Sequence, residues 1–160
     1  MTRSMIAISV CATTLATGAW AASAGSISGS AALAMAGVVA PYSPTLSAAD
    51  KKLVAAFFNG NTSTSYKNKI VVTADKIVCR TSNVDITARS CELTFGKTVK
   101  SLTGRAANEI YATEAMAGVP SDGAAGSIFE SVSKLSCTLD PAALKDKAGA
   151  GADCSYQPAN

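Results

Sequence analysis

Histidine is missing from this chain altogether. Its absence removes the Ser-His-Asp and Cys-His arrangements that activate a nucleophile, histidine-based proton transfer, and nearly every ordinary catalytic zinc site. Aromatic residues are scarce, 6% of the whole, and Trp20, Tyr42, Tyr66, Tyr111 and Tyr156 are dispersed, so they form no evident stacking platform. Basic clustering is lacking too. No run of lysine or arginine exceeds Lys51-Lys52, and 14 basic against 11 acidic residues leave a net charge of only +3. Nucleic-acid and anionic-membrane binders usually present a basic stripe. Neither partner is expected here.

What is present begins with the N-terminus, MTRSMIAISVCATTLATGAWAASAGS. Arg3 supplies a positive start, and Met5 to Ala16 form an uncharged apolar run of about a dozen residues. Ala19-Trp20-Ala21 and Ala22-Ser23-Ala24 then fit the small-residue rule for signal peptidase. A membrane anchor needs about 20 continuous apolar residues, and Thr13, Thr14, Thr17 and Gly18 interrupt this run. Residues 1–21 therefore read as a cleaved secretory signal, with position 24 as the alternative cleavage point. The chain is expected in the periplasm or outside the cell, with no membrane span in its mature form. Cys11 and Trp20 would leave with the signal.

Four cysteines would remain: Cys79, Cys91, Cys137 and Cys154. An even number in an exported chain is read first as a disulfide framework. Zinc would want close C-x2-4-C spacing and histidines, and thioredoxin-type chemistry would want C-x-x-C; the chain has neither. Of the three connectivities, the local one is favoured, Cys79–Cys91 with Cys137–Cys154, because each pair flanks a turn between strand-like runs. No metal and no cofactor is expected.

Residues 22–46, uncharged and rich in alanine, serine and glycine, read as a flexible or loosely docked leader ended by Pro41 and Pro44, with a transient helix over Ala31 to Val39 as the alternative. A single α+β domain is expected over 47–160. Ser47 is a good N-cap, with Asp50 three residues on, for a helix stopped by Asn59-Gly60-Asn61; Leu53 and Phe57, with Phe58 as a third candidate, should dock on the sheet. KIVVT and KIVCR are β-branched runs separated at Ala74-Asp75 by a turn or bulge. Val84 to Ile86 begin the next strand, which resumes at CELTF, where Cys91, Leu93 and Phe95 share a face. Residues 103–117 form the clearest helix, with Leu102, Ala106, Ile110 and Thr113 in a narrow stripe widened by Ala107 and Met116, and Gly118 and Pro120 at its end. SDGAAGS reads as a loop. A strand is expected from Ser131 onward, then a helical turn opened by Pro141 and capped by Asp140, then a last strand at DCSYQ. The fold class is α+β: one antiparallel sheet of about four or five strands, helix 103–117 across one face and helix 48–59 beside it.

Motifs of chemistry are thin. Ser131-Val132-Ser133-Lys134 matches the S-x-x-K of penicillin-recognising enzymes, but no K-T-G accompanies it. Gly96-Lys97-Thr98 resembles the end of a phosphate loop, yet its first glycine would fall at Cys91. Glu109 and Glu114 read as solvated helix positions, and Asp75, Asp85 and Glu92 are near them only in sequence. Asp140, Asp146 and Asp153 lack the alternation of a calcium loop. Asn61-Thr62-Ser63 is a glycosylation sequon. The expectation is a small exported, non-catalytic protein that binds a protein or envelope component, with loops 61–68, 82–90 and 120–127 as its contact surfaces. The alternative is a small carboxylate-dependent hydrolase acting on envelope polymers.

Overall fold

The computed structural model describes residues 24–61, 65–82, 88–119, 121–124, 127–144 and 149–158. The expected signal segment 1–21, with Cys11, and the expected strand start at 84–86 lie outside the described residues. Seven strands form one antiparallel sheet: β1 (Gly25–Ser28), β2 (Ile70–Ser82), β3 (Arg89–Phe95), β4 (Thr98–Thr103), β5 (Ser121–Ala124), β6 (Ser127–Leu139) and β7 (Ala152–Pro158). Their order is β1-β7-β6-β2-β3-β4, with β5 paired to the first part of β6. The α+β class holds, with more strands than the expected four or five. Three of the strands had no sequence signal of their own: β1 lies in the presumed leader, β4 is an exposed edge, and β5 is a short arm of SDGAAGS.

Alternation decides which face is covered. Ile70, Val72 and Ala74, then Ile77, Cys79 and Thr81, are buried along β2, and Val132, Leu135, Cys137 and Leu139 along β6. The period breaks at the same level on both strands, because Asp75 and Lys76 both face solvent, as Lys134 does opposite. Lys134 takes a φ of 50°, the left-handed region that side chains usually avoid. The two runs either side of Ala74-Asp75 are thus one bent strand. The opposite face is wet: Thr73, Ser136, Ser155 and Ser26 form a single cross-strand row of hydroxyl residues.

Two helices cover the inner face, α1 (Ser30–Val39) and α3 (Gly104–Met116). The segment expected as a flexible leader is therefore built into the domain. Its sequence SAALAMAGVV is apolar nearly all round, which marks a buried helix rather than an amphipathic one; Ala32, Met35, Ala36 and Val39 are fully enclosed. Helix α2 (Ala48–Phe58), expected beside α3 on the sheet, instead rests chiefly on α1 and on the 3-10 turn Ala40–Tyr42. It buries Val54 and Phe57, while Leu53 is half-buried and Phe58 stays 45% exposed.

Both expected disulfides are formed, Cys79–Cys91 and Cys137–Cys154. Each joins residues directly opposite in register, on β2–β3 and on β6–β7. Their Cα atoms stand 4.1 and 3.9 Å apart. All four cysteines are enclosed between sheet and helices. The Cys91 sulfur lies 3.4 Å from the Ala107 carbonyl oxygen of α3, and the Cys154 sulfur 3.5 Å from that of Ala32 in α1. A bonded sulfur carries no proton, so these are packing contacts between each disulfide and the backbone of the helix that covers it. Closing loops of this size stabilises the fold by roughly 3 kcal/mol each on the chain-entropy model.

The α1–α2 crossing depends on a missing side chain. A methyl on Gly37 would meet the Phe58 ring at 2.6 Å. Overpacking of this kind costs about 1–3 kcal/mol, against a helix-propensity gain of about 1 kcal/mol for alanine over glycine. Gly37→Ala is expected to destabilise the wild-type chain and to stabilise a Phe58→Ala background. Urea unfolding of the four proteins of that cycle measures the change of sign.

Candidate functional site

Two surface grooves are prominent in the structure. The larger, about 600 Å³, runs between α2 and the extended segment 65–68. The helix side, taken as its floor, is lined by Ala49, Leu53 and Ala56 with Lys52, and the segment side by Ser65, Tyr66, Lys67 and Asn68. Residues 49, 53 and 56 recur at helical spacing, so one face of α2 presents a small–large–small apolar row. The outward position of α2 is what exposes that row, since the helix turns Val54 and Phe57 to the interior. Part of an expected contact loop, 61–68, thus lines a groove, though 62–64 lie outside the described residues.

The segment is tied to α2 by a chain of hydrogen bonds. The Ser47 hydroxyl donates to the Asp50 carboxylate at 2.7 Å and accepts from the Asp50 backbone N–H at 3.1 Å, the N-cap expected from the sequence. The Tyr66 phenol donates to the other Asp50 oxygen at 2.9 Å. The Ser47 hydroxyl first, and Tyr66 second, hold the Asp50 carboxyl below the ordinary carboxylate range, while Asp50 pushes the Tyr66 phenol upward. Lys51 turns away and donates to the Pro41 carbonyl at 3.2 Å.

The second groove, about 400 Å³, lies between α1 and α3, lined by Ala34, Val38, Phe58, Ala112, Thr113 and Met116. Its two charges also border it, and they neutralise one another: Arg105 Nε donates to Glu109 at 2.8 Å.

Among the described residues, the acidic side chains that make polar contacts do so at separate places. Asp75 accepts from the Gly96 N–H, Glu92 pairs with Arg80 at 3.6 Å, and Glu109 pairs with Arg105. Asp140 caps the Ala142 N–H at 3.0 Å, opening α4 (Pro141–Leu144), and sits 3.9 Å from Lys69. Glu114, expected on a solvated face, is fully buried. It lies four residues beyond Ile110 and seven beyond Ala107, which is the inward stripe of α3. Among the described residues no group of three or more His, Cys, Asp or Glu side chains is placed to hold a metal ion.

The remaining motifs resolve into structure. Gly96-Lys97 is the two-residue turn between β3 and β4, with Gly96 at φ 58° as a tight hairpin prefers. Its N–H is taken by Asp75, where a phosphate loop would leave it open. Lys134 of the S-x-x-K run is exposed on the bend of β6, and the Ser131 side chain falls outside those described. Of the tyrosines, Tyr66 lines the groove, Tyr111 lies 4.4 Å beneath the Arg89 guanidinium, and the Tyr156 ring covers Gly25 on the edge strand. The chain matches no family model, no curated protein and no solved structure. No helix among the described residues is long and apolar enough to cross a membrane.

The Tyr66–Asp50 link sets a pH window. A carboxyl whose value is lowered by folding contributes above its unfolded value, and that contribution is lost as pH falls through the folded one. A phenol raised by folding contributes below its unfolded value, about 10, and loses it as pH rises through the folded one. Segment 65–68 is thus expected to hold its place across neutral pH and to loosen below the ordinary carboxylate range of about 4. Amide shifts of Leu53 and Asn68 followed by NMR read this, and Tyr66→Phe should flatten the acid response.

Proposed function

We propose that the protein is a small exported, non-catalytic binding protein of the periplasm or extracellular space, whose partner is a protein or envelope component. The observation that carries this reading is the α2/65–68 groove: an apolar row exposed on a helix, with a lysine from each wall, on a disulfide-braced frame. Concave apolar surfaces with a few placed polar groups are the usual form of a binding site. Two disulfides fit an oxidising compartment. Against the hydrolase alternative stand the separate commitments of Asp50, Asp75, Glu92, Glu109 and Asp140, each held by a different neighbour, where glycoside hydrolysis wants two carboxyls flanking one bond.

The test compares the chain from residue 22 with its Leu53→Glu form, each immobilised and exposed to the native envelope fraction without reductant. A component retained by the first and lost with the second supports the reading. Equal retention by both, or none by either, contradicts it.

A further inference from the structure

We propose that the groove between α2 and residues 65–68 takes a free medium-chain alkyl carboxylate. Its head would lie between the Lys52 and Lys67 ammonium groups and its chain along Ala49, Leu53 and Ala56. The inference rests on this groove being the binding surface. Seven residues of helix separate Ala49 from Ala56, which at 1.5 Å each gives a row of about 10 Å. That is the scale of a medium-chain acyl group. A stable protein interface buries about 800 Å² on each partner, so a protein partner would have to reach well beyond this row, whereas a single acyl chain is matched by its length. The volume, about 600 Å³, lies in the usual range for small-molecule sites.

The floor consists of methyl and isobutyl groups without a donor or acceptor. A sugar laid on it would lose hydration with nothing in return, whereas an alkyl chain gains by leaving water. The charge selects the head. Lys52 and Lys67 are the charged side chains lining the groove. The neighbouring acid, Asp50, is engaged by Ser47 and Tyr66 and so is turned to the frame. Lys51 is directed to the Pro41 carbonyl. Ser65 and Asn68 add neutral hydrogen-bonding groups at the segment wall. The α1/α3 groove makes the contrast: it is equally apolar, but its Arg105–Glu109 pair offers an anion no net attraction.

The experiment titrates the chain from residue 22 with sodium octanoate and follows amide shifts by NMR, with 1-octanol, octylammonium and octyl phosphate as comparators. Octanoate should shift residues 49–56 and 65–68, and so should octyl phosphate, whose head carries charge of the same sign. It should bind about tenfold more tightly than 1-octanol, and octylammonium should shift none of these residues. The double substitution Lys52→Gln with Lys67→Gln, both on the surface, should lower octanoate affinity about tenfold and abolish its salt dependence. Equal affinity for 1-octanol and octanoate overturns the proposal. So does unchanged affinity in the double variant, or shifts confined to Val38, Phe58 and Met116. If octanoate fails while Leu53→Glu still strips the captured envelope component, the ligand class falls and the groove keeps its binding role. If both fail, the groove is no binding surface.

Discussion

Two cross-strand disulfides occupy the plane between the sheet and the helices that cover it, and the rest of the architecture is arranged around them. Each sits beneath one alanine, Ala107 of α3 or Ala32 of α1. The pairs lie on either side of the central β2–β6 ladder, so the sheet is pinned at two separated places. In a domain with few large apolar side chains, where alanine makes up about one residue in five, such crosslinks stand in for core volume that a bigger protein would have.

That arrangement explains where the groove can be. With α1 and α3 filling the inner face, α2 has no room on the sheet and packs as an outer layer, through the notch that Gly37 leaves for Phe58. An outer helix exposes one side. Its Ala49–Leu53–Ala56 row is only partly covered, with Ala49 exposed and Leu53 and Ala56 half-buried, and the Tyr66–Asp50 bond lays segment 65–68 alongside it. The groove is therefore a consequence of helix order, which is in turn set by which helix is apolar enough to be enclosed.

Much of this was legible in the residues. The disulfide pairs, the inward faces of β2 and β3, the Ser47 cap, the Gly118 stop of α3 and the bend at Asp75 follow from local chemistry: alternation, capping and spacing act over a few positions. What was illegible depends on distant neighbours. Segment 30–39 has no polar face, so it shows no helical periodicity, and its low charge resembles a linker. Strand β4 is exposed along nearly all its length and reads as polar loop; it is a strand because the Gly96-Lys97 turn folds it back on β3. Glu114 carries a polar label on an apolar stripe, and only packing reveals which face it occupies. Of the candidate site, loop 61–68 was anticipated as a contact region. Its pairing with the outer face of α2 was not, because Leu53 was expected to lie inward.

Binding by a groove, as proposed, asks for a frame that does not yield. The direct measurement is thiol counting by mass spectrometry on the oxidised chain from residue 22, alkylated under reductant with and without denaturant. The account predicts that no cysteine is modified while the fold is intact and that Cys79, Cys91, Cys137 and Cys154 become reactive together with unfolding. Reduction and labelling of either pair in a chain that keeps its native circular dichroism would contradict it.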